Sequence, residues 1–71
     1  MKSEWKYLTG NLIITVKAQN ENDEPKYFDF ACYVSSNLNF YDKMDNLLDI
    51  AQHAANLREL CRADIADIKQ K

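Results

Sequence analysis

The sequence predicts a small α+β domain: an antiparallel sheet of two or three strands followed by a C-terminal helix or broken helix pair, in the order strand, strand, helix. Three observations carry this. Apolar residues alternate with period two over 12–18 and again over 26–34, and from residue 40 onward the apolar period changes to about 3.6.

Over 12–18 the even positions Leu12, Ile14, Val16 and Ala18 are all apolar and the run is rich in β-branched residues, which is the pattern of a strand with one buried face. Over 26–34, Phe28, Phe30, Cys32 and Val34 fall on one side, and Tyr27, Asp29, Ala31 and Tyr33 on the other. Between the two runs, residues 19–25 are polar and end on the chain's single proline, so they read as the loop of an antiparallel hairpin. Residues 4–8, with Trp5 and Tyr7 in alternation, read as a third, edge strand turned back at Thr9, Gly10 and Asn11.

The helical region spans 40–69, with Ser36 or Asn39 as its cap and Asp42 and Asp45 near the positive end of the helix dipole. Phe40, Met44, Leu47, Leu48, Ala51, Ala54 and Ala55 share one face, which is expected to lie on the hairpin. Beyond Asn56 the stripe of Leu57, Leu60, Cys61, Ile65 and Ile68 is turned by about 100° from that face. Either the helix breaks there, with Asn56 and Glu59 capping a second helix, or one long helix overhangs the sheet. A helix from 40 to 69 would be about 45 Å long against about 23 Å for a seven-residue strand. The second stripe therefore needs a cover that the hairpin does not provide, and Leu57, Leu60, Ile65 and Ile68 are expected at an intermolecular contact.

Seventy-one residues form one domain with a thin core, which favours a shared core in a homo-oligomer or a partner complex. Nine basic against eleven acidic residues give a net charge of −2, with no continuous basic track. Direct binding to a nucleic-acid backbone is therefore not expected. No apolar run approaches a membrane span and no leader pattern follows Met1, so the expected location is cytoplasmic. Two distant cysteines and one histidine match neither a disulfide framework nor a zinc pattern, and no cofactor motif is present. The acidic loop at Glu21, Asp23 and Glu24 lacks the ligand spacing of a calcium loop.

His53 with Asp49 one turn earlier is a solvated pair on the polar helix face, without a nucleophile beside it. Cys32 and Cys61 read as packing residues. Asp42, Asp45, Asp49, Glu59 and Asp67 would line one third of a continuous helix, a stripe able to face a basic partner or to imitate phosphates. On the sheet side that the helix does not cover, Ile13, Tyr27 and Tyr33 are suited to contact a protein. These features point to a non-enzymatic protein-binding module, a regulator or inhibitor acting on the surface of a larger protein. The alternatives are a nucleic-acid or nucleoprotein-associated factor, or an acidic-helix mimic of nucleic-acid phosphates.

Overall fold

A computed structural model describes residues 2–71, with side chains from Glu4 onward. A 3₁₀ helix, Lys2–Tyr7, leads into strand β1 (Gly10–Gln19), strand β2 (Pro25–Val34), helix α1 (Phe40–Leu57) and strand β3 (Cys61–Gln70). The sheet order is β2-β1-β3 with both pairings antiparallel. Strands β2 and β3 thus run parallel to each other on either side of β1, and α1 carries the chain across the central strand.

The α+β class, the antiparallel sheet and the strand, strand, helix order are as the sequence predicts; two element assignments are not. Residues 4–8 form a 3₁₀ turn instead of an edge strand: Leu8 N donates to Trp5 O at 3.1 Å, and the three-residue spacing of Trp5 and Leu8 puts both against the core. The third strand comes instead from the C-terminal third. The helix ends at Leu57, not near 69, and residues 61–70 pair with β1.

The β1–β2 hairpin closes through Asn20, whose side-chain oxygen accepts from the backbone N–H groups of Asn22 and Glu24 at 2.9 and 3.0 Å. Asp23 takes the left-handed conformation, with φ 59°, that a tight strand reversal demands. Leu12, Ile14, Val16 and Ala18 are fully buried on the inner face of β1, and Phe28 and Val34 join them from β2. Asn39 caps α1, its side chain accepting from Asp42 N at 2.9 Å. The helix buries Lys43, Leu47, Ala51 and Ala55 along one i, i+4 line, with Phe40, Met44, Leu48 and Ala54 partly buried around it. Its eighteen residues make a rod of about 27 Å, which fits over ten-residue strands of about 34 Å. A 45 Å rod would have outrun a molecule whose longest dimension is 38 Å.

Three residues turn the helix into β3. Glu59 N donates to Asn56 O at 3.0 Å and Leu60 N to Ala55 O at 2.9 Å, while Glu59 adopts φ 58°. This is a left-handed C-terminal cap, in which the last helical carbonyls are satisfied by the two residues beyond the helix. Asn56 and Glu59 therefore stop one helix; they do not start another. Leu60, Ala63, Ile65 and Ile68 then pack against the common core. The cover that the second stripe required is the chain's own helix and N-terminal turn.

Candidate partner-binding surfaces

The inner face of the sheet is occupied by α1, and among the described residues no element covers the outer face. Cross-strand pairing arranges the outer residues in rows. Ala31, Ile13 and Lys69 form one row; Asp29, Thr15 and Asp67 the next; Tyr27, Lys17 and Asp64 a third; and Tyr33 lies beside Asn11. Tyr27 and Tyr33 are 62% and 66% exposed, enough to offer most of each ring to a partner, while Ile13 is half-buried between its neighbours. Six residues of strand separate the two tyrosines by about 20 Å. Thr15 Oγ1 donates to Asp29 Oδ1 at 2.6 Å and fixes that carboxylate on the face. Lys17 and Lys69 share the face with Asp29, Asp64 and Asp67, so its charge is mixed.

Sequence reasoning groups Ile13, Tyr27 and Tyr33, and the fold brings the three together. Asp64, Asp67 and Lys69 reach the same face because residues 61–70 are a strand and not the helix that the sequence predicts. The acidic stripe is correspondingly shorter than expected. Asp42, Asp45 and Asp49 stand exposed on the outer side of α1, but Glu59 lies in the helix stop and Asp67 on the opposite layer. His53 and Asp49 are both exposed on the helix surface.

The C-terminal apolar residues do not form one outward stripe. Ile65 and Ile68 pair across from Val16 and Ile14 on the inner face, and Leu60 is half-buried at its end. Leu57, 74% exposed at the last turn of α1, and Cys61, exposed at the start of β3, face solvent, so Cys61 is not the packing residue that the sequence suggests. The helical spacing that set this stripe apart comes from a bulge. Thr15 pairs with Asp67 and Val16 with Ile65, so Ala66 is an extra residue, and Arg62 is a second one beside Gln19, with φ 38°.

The chain matches no protein family model, no curated protein and no solved structure. The surface chemistry alone bears on function. A groove of about 130 Å³ runs between the 3₁₀ helix and β3, lined by Trp5, Leu8, Ile65 and Ile68 among others. That is smaller than the few hundred Å³ of a typical small-molecule site. A more polar recess of about 340 Å³ lies at the Arg62 bulge, and Gln19, Gln52, Arg62 and Ala63 in its lining are engaged in hydrogen bonds. Gln52 accepts from Ala63 N at 2.9 Å and donates to Asn56 Oδ1 at 2.8 Å, while Arg62 bonds Gln19 Oε1 and pairs with Asp23 at 3.2 Å. Among the described residues, no cluster of three His, Cys, Asp or Glu is placed to hold a metal ion. No described helix is long and apolar enough to cross a membrane. Cys32 and Cys61 are both free thiols, and burial pushes the Cys32 thiol up from its ordinary value.

Proposed function

We propose that the chain is a non-enzymatic protein-binding module, a regulator or inhibitor that occupies a surface of a larger protein through the uncovered face of its sheet. The observation that carries this reading is the placement of Tyr27 and Tyr33 about 20 Å apart on a face that no described element covers, with Ile13 and Ala31 between them. Tyrosine contributes a large apolar area and a hydrogen-bonding tip for little loss of side-chain freedom, which suits the centre of a protein interface. The flanking Lys17, Lys69, Asp29, Asp64 and Asp67 form a polar rim able to set orientation. The same three carboxylates disfavour a nucleic-acid strand on this face, because phosphate would meet them directly.

The test is affinity capture from an extract of the source cells with the parent chain and with an Ile13→Asp, Tyr33→Ser double variant. Circular dichroism on both confirms that the fold is kept. Loss of retained protein in the variant supports the reading. Retention of the same proteins in equal amount overturns it and moves the contact to another surface.

A further inference from the structure

The two free edges of the sheet differ. On β3, two bulges interrupt the edge, and two of its outward N–H groups are already taken: Ala63 N donates to Gln52 Oε1 at 2.9 Å and Ile68 N to Asp67 Oδ1 at 3.0 Å. Bulges and side-chain caps of this kind prevent strand addition. Edge β2 has neither. Its ten residues pair with β1 in one unbroken register from Pro25 to Val34.

The parity of the ladder fixes which backbone groups β2 presents. Asn20 N donates to Glu24 O at 3.2 Å at the hairpin end. By the alternation of an antiparallel pair, even-numbered residues of β2 then bond β1, and Tyr27, Asp29, Ala31 and Tyr33 point their N–H and C=O groups outward. Pro25, which has no N–H to give, stands at an outward position too. Applied to β3, the same parity sends Ala63 and Ile68 to the other edge, where their capped N–H groups are found.

We propose that a second copy of this chain adds to the free edge of β2, pairing β2 with its copy antiparallel about a two-fold axis at Phe30 and joining the two sheets into one of six strands. This goes beyond the open-face reading, because the edge and not the face makes the contact. Charge selects the register. With the axis at Phe30, Tyr27 opposes Tyr33 and Asp29 opposes Ala31 of the second copy, and all of Lys26 to Val34 is paired. An axis at Asp29 would set two carboxylates against each other, and an axis at Ala31 would push Tyr27 past the strand end. Outward parity allows no intermediate step.

The inner row supplies apolar contact. Helix α1 leans on β3 and the 3₁₀ helix more than on β2. Phe30 and Cys32 are consequently only half-buried within one chain. In the proposed register Phe30 meets its copy and Phe28 meets Cys32 in the closely spaced, non-bonded pairs. About eight backbone hydrogen bonds form. Nine residues a side is less than half of a standard interface of roughly 20–30, so the dimer is of the weak, transient kind.

Sedimentation velocity on the purified chain alone, from micromolar to millimolar concentration, tests this without any other partner. The expected result is a reversible monomer–dimer equilibrium. Ala31→Asp, at an exposed site, sets a carboxylate against Asp29 of the second copy twice over and weakens the dimer by about tenfold. Ala31→Lys meets the same Asp29 and keeps or tightens it. Ile13→Asp, which damages the open face, leaves the dimer intact and so separates this proposal from the preceding one. A chain that stays monomeric to millimolar concentration overturns the proposal, as does equal weakening by both Ala31 variants or no effect of either.

Discussion

The ammonium of Lys43 donates to the backbone carbonyl of Lys6 at 2.7 Å, with Lys43 only 4% exposed. A cation in the first turns of α1 opposes that helix's own dipole, and the bond to the end of the 3₁₀ helix offsets this by satisfying a carbonyl that lacks an intrahelical partner. The contact pins the N-terminal turn to α1 and holds Trp5 in the core.

Replacing Lys43 by Met keeps the length of the side chain and removes the donor. The expected cost is about 1–3 kcal/mol, from losing a charge-assisted bond and leaving the Lys6 carbonyl unpaired. Trp5 is the single tryptophan, so its fluorescence reports the turn directly. A red shift of emission before global unfolding is expected in Lys43→Met, and an unchanged spectrum and stability would show that the turn is held by Trp5 and Leu8 alone.

Glu59 occupies the left-handed position of the helix cap, where glycine carries no Cβ penalty. Glu59→Gly is expected to stabilise the domain by about 0.5–1 kcal/mol, since relief of strain exceeds the added freedom of the unfolded chain. Urea denaturation should show a higher midpoint at unchanged slope. A lower midpoint would mean that the Glu59 side chain contributes more than its backbone costs.

The absence of glycine at this cap is also why the helix end was hidden in the sequence. The hairpin was legible because its period-two pattern is uninterrupted over 12–18 and 26–34, and the core face of α1 because Leu47, Ala51 and Ala55 keep i, i+4 spacing. Strand β3 was not legible. Its inward residues Ile65 and Ile68 are three apart in sequence because Ala66 is bulged out, and three is a helical spacing. The open face was read in part: Ile13, Tyr27 and Tyr33 follow from the hairpin alone, whereas Asp64, Asp67 and Lys69 require β3 to be recognised as a strand.

Leu47 and Ile65 belong to one core, so both should be sensitive. Leu47→Ala is expected to cost about 2–5 kcal/mol, a large share of the stability of so small a domain. Ile65→Asp should cost roughly as much, because a carboxylate would replace an apolar group packed under α1. Ile13→Asp on the open face should stay within about 1 kcal/mol of the parent. Thermal unfolding followed by circular dichroism ranks the three; an Ile65→Asp chain as stable as the parent would contradict the inward placement of β3.

The two thiols should separate by exposure. Cys61 is exposed and Cys32 half-buried with a raised pKa. A thiol reagent at mildly alkaline pH is expected to label Cys61 first, with Cys32 on the order of tenfold slower. Above the ordinary thiol range the unfolded chain gives up its Cys32 proton while the folded chain retains it, so stability should fall as pH rises there. A Cys32→Ala variant should flatten that fall, and an equal fall in both chains would place its cause in another group.

Deleting Ala66 is the sharpest check on the bulge. With it gone, Ile65, Asp67 and Ile68 become consecutive in sequence and remain opposite Val16, Thr15 and Ile14, so the ladder closes without changing which side chains face the core. Such a deletion inside a regular strand would send every later residue to the wrong face. Here the fold should survive, with far-ultraviolet circular dichroism unchanged and a midpoint within a few degrees of the parent, about 1 kcal/mol or less. The deletion also straightens an edge that the bulge had blunted. The Arg62 bulge and the capped N–H groups of Ala63 and Ile68 still blunt it, so the shortened chain is expected to sediment no larger than the parent. An unfolded deletion variant would instead show that Ala66, lining the groove beside Trp5 and Leu8, is held by packing against the N-terminal turn and is not a surplus residue of the strand.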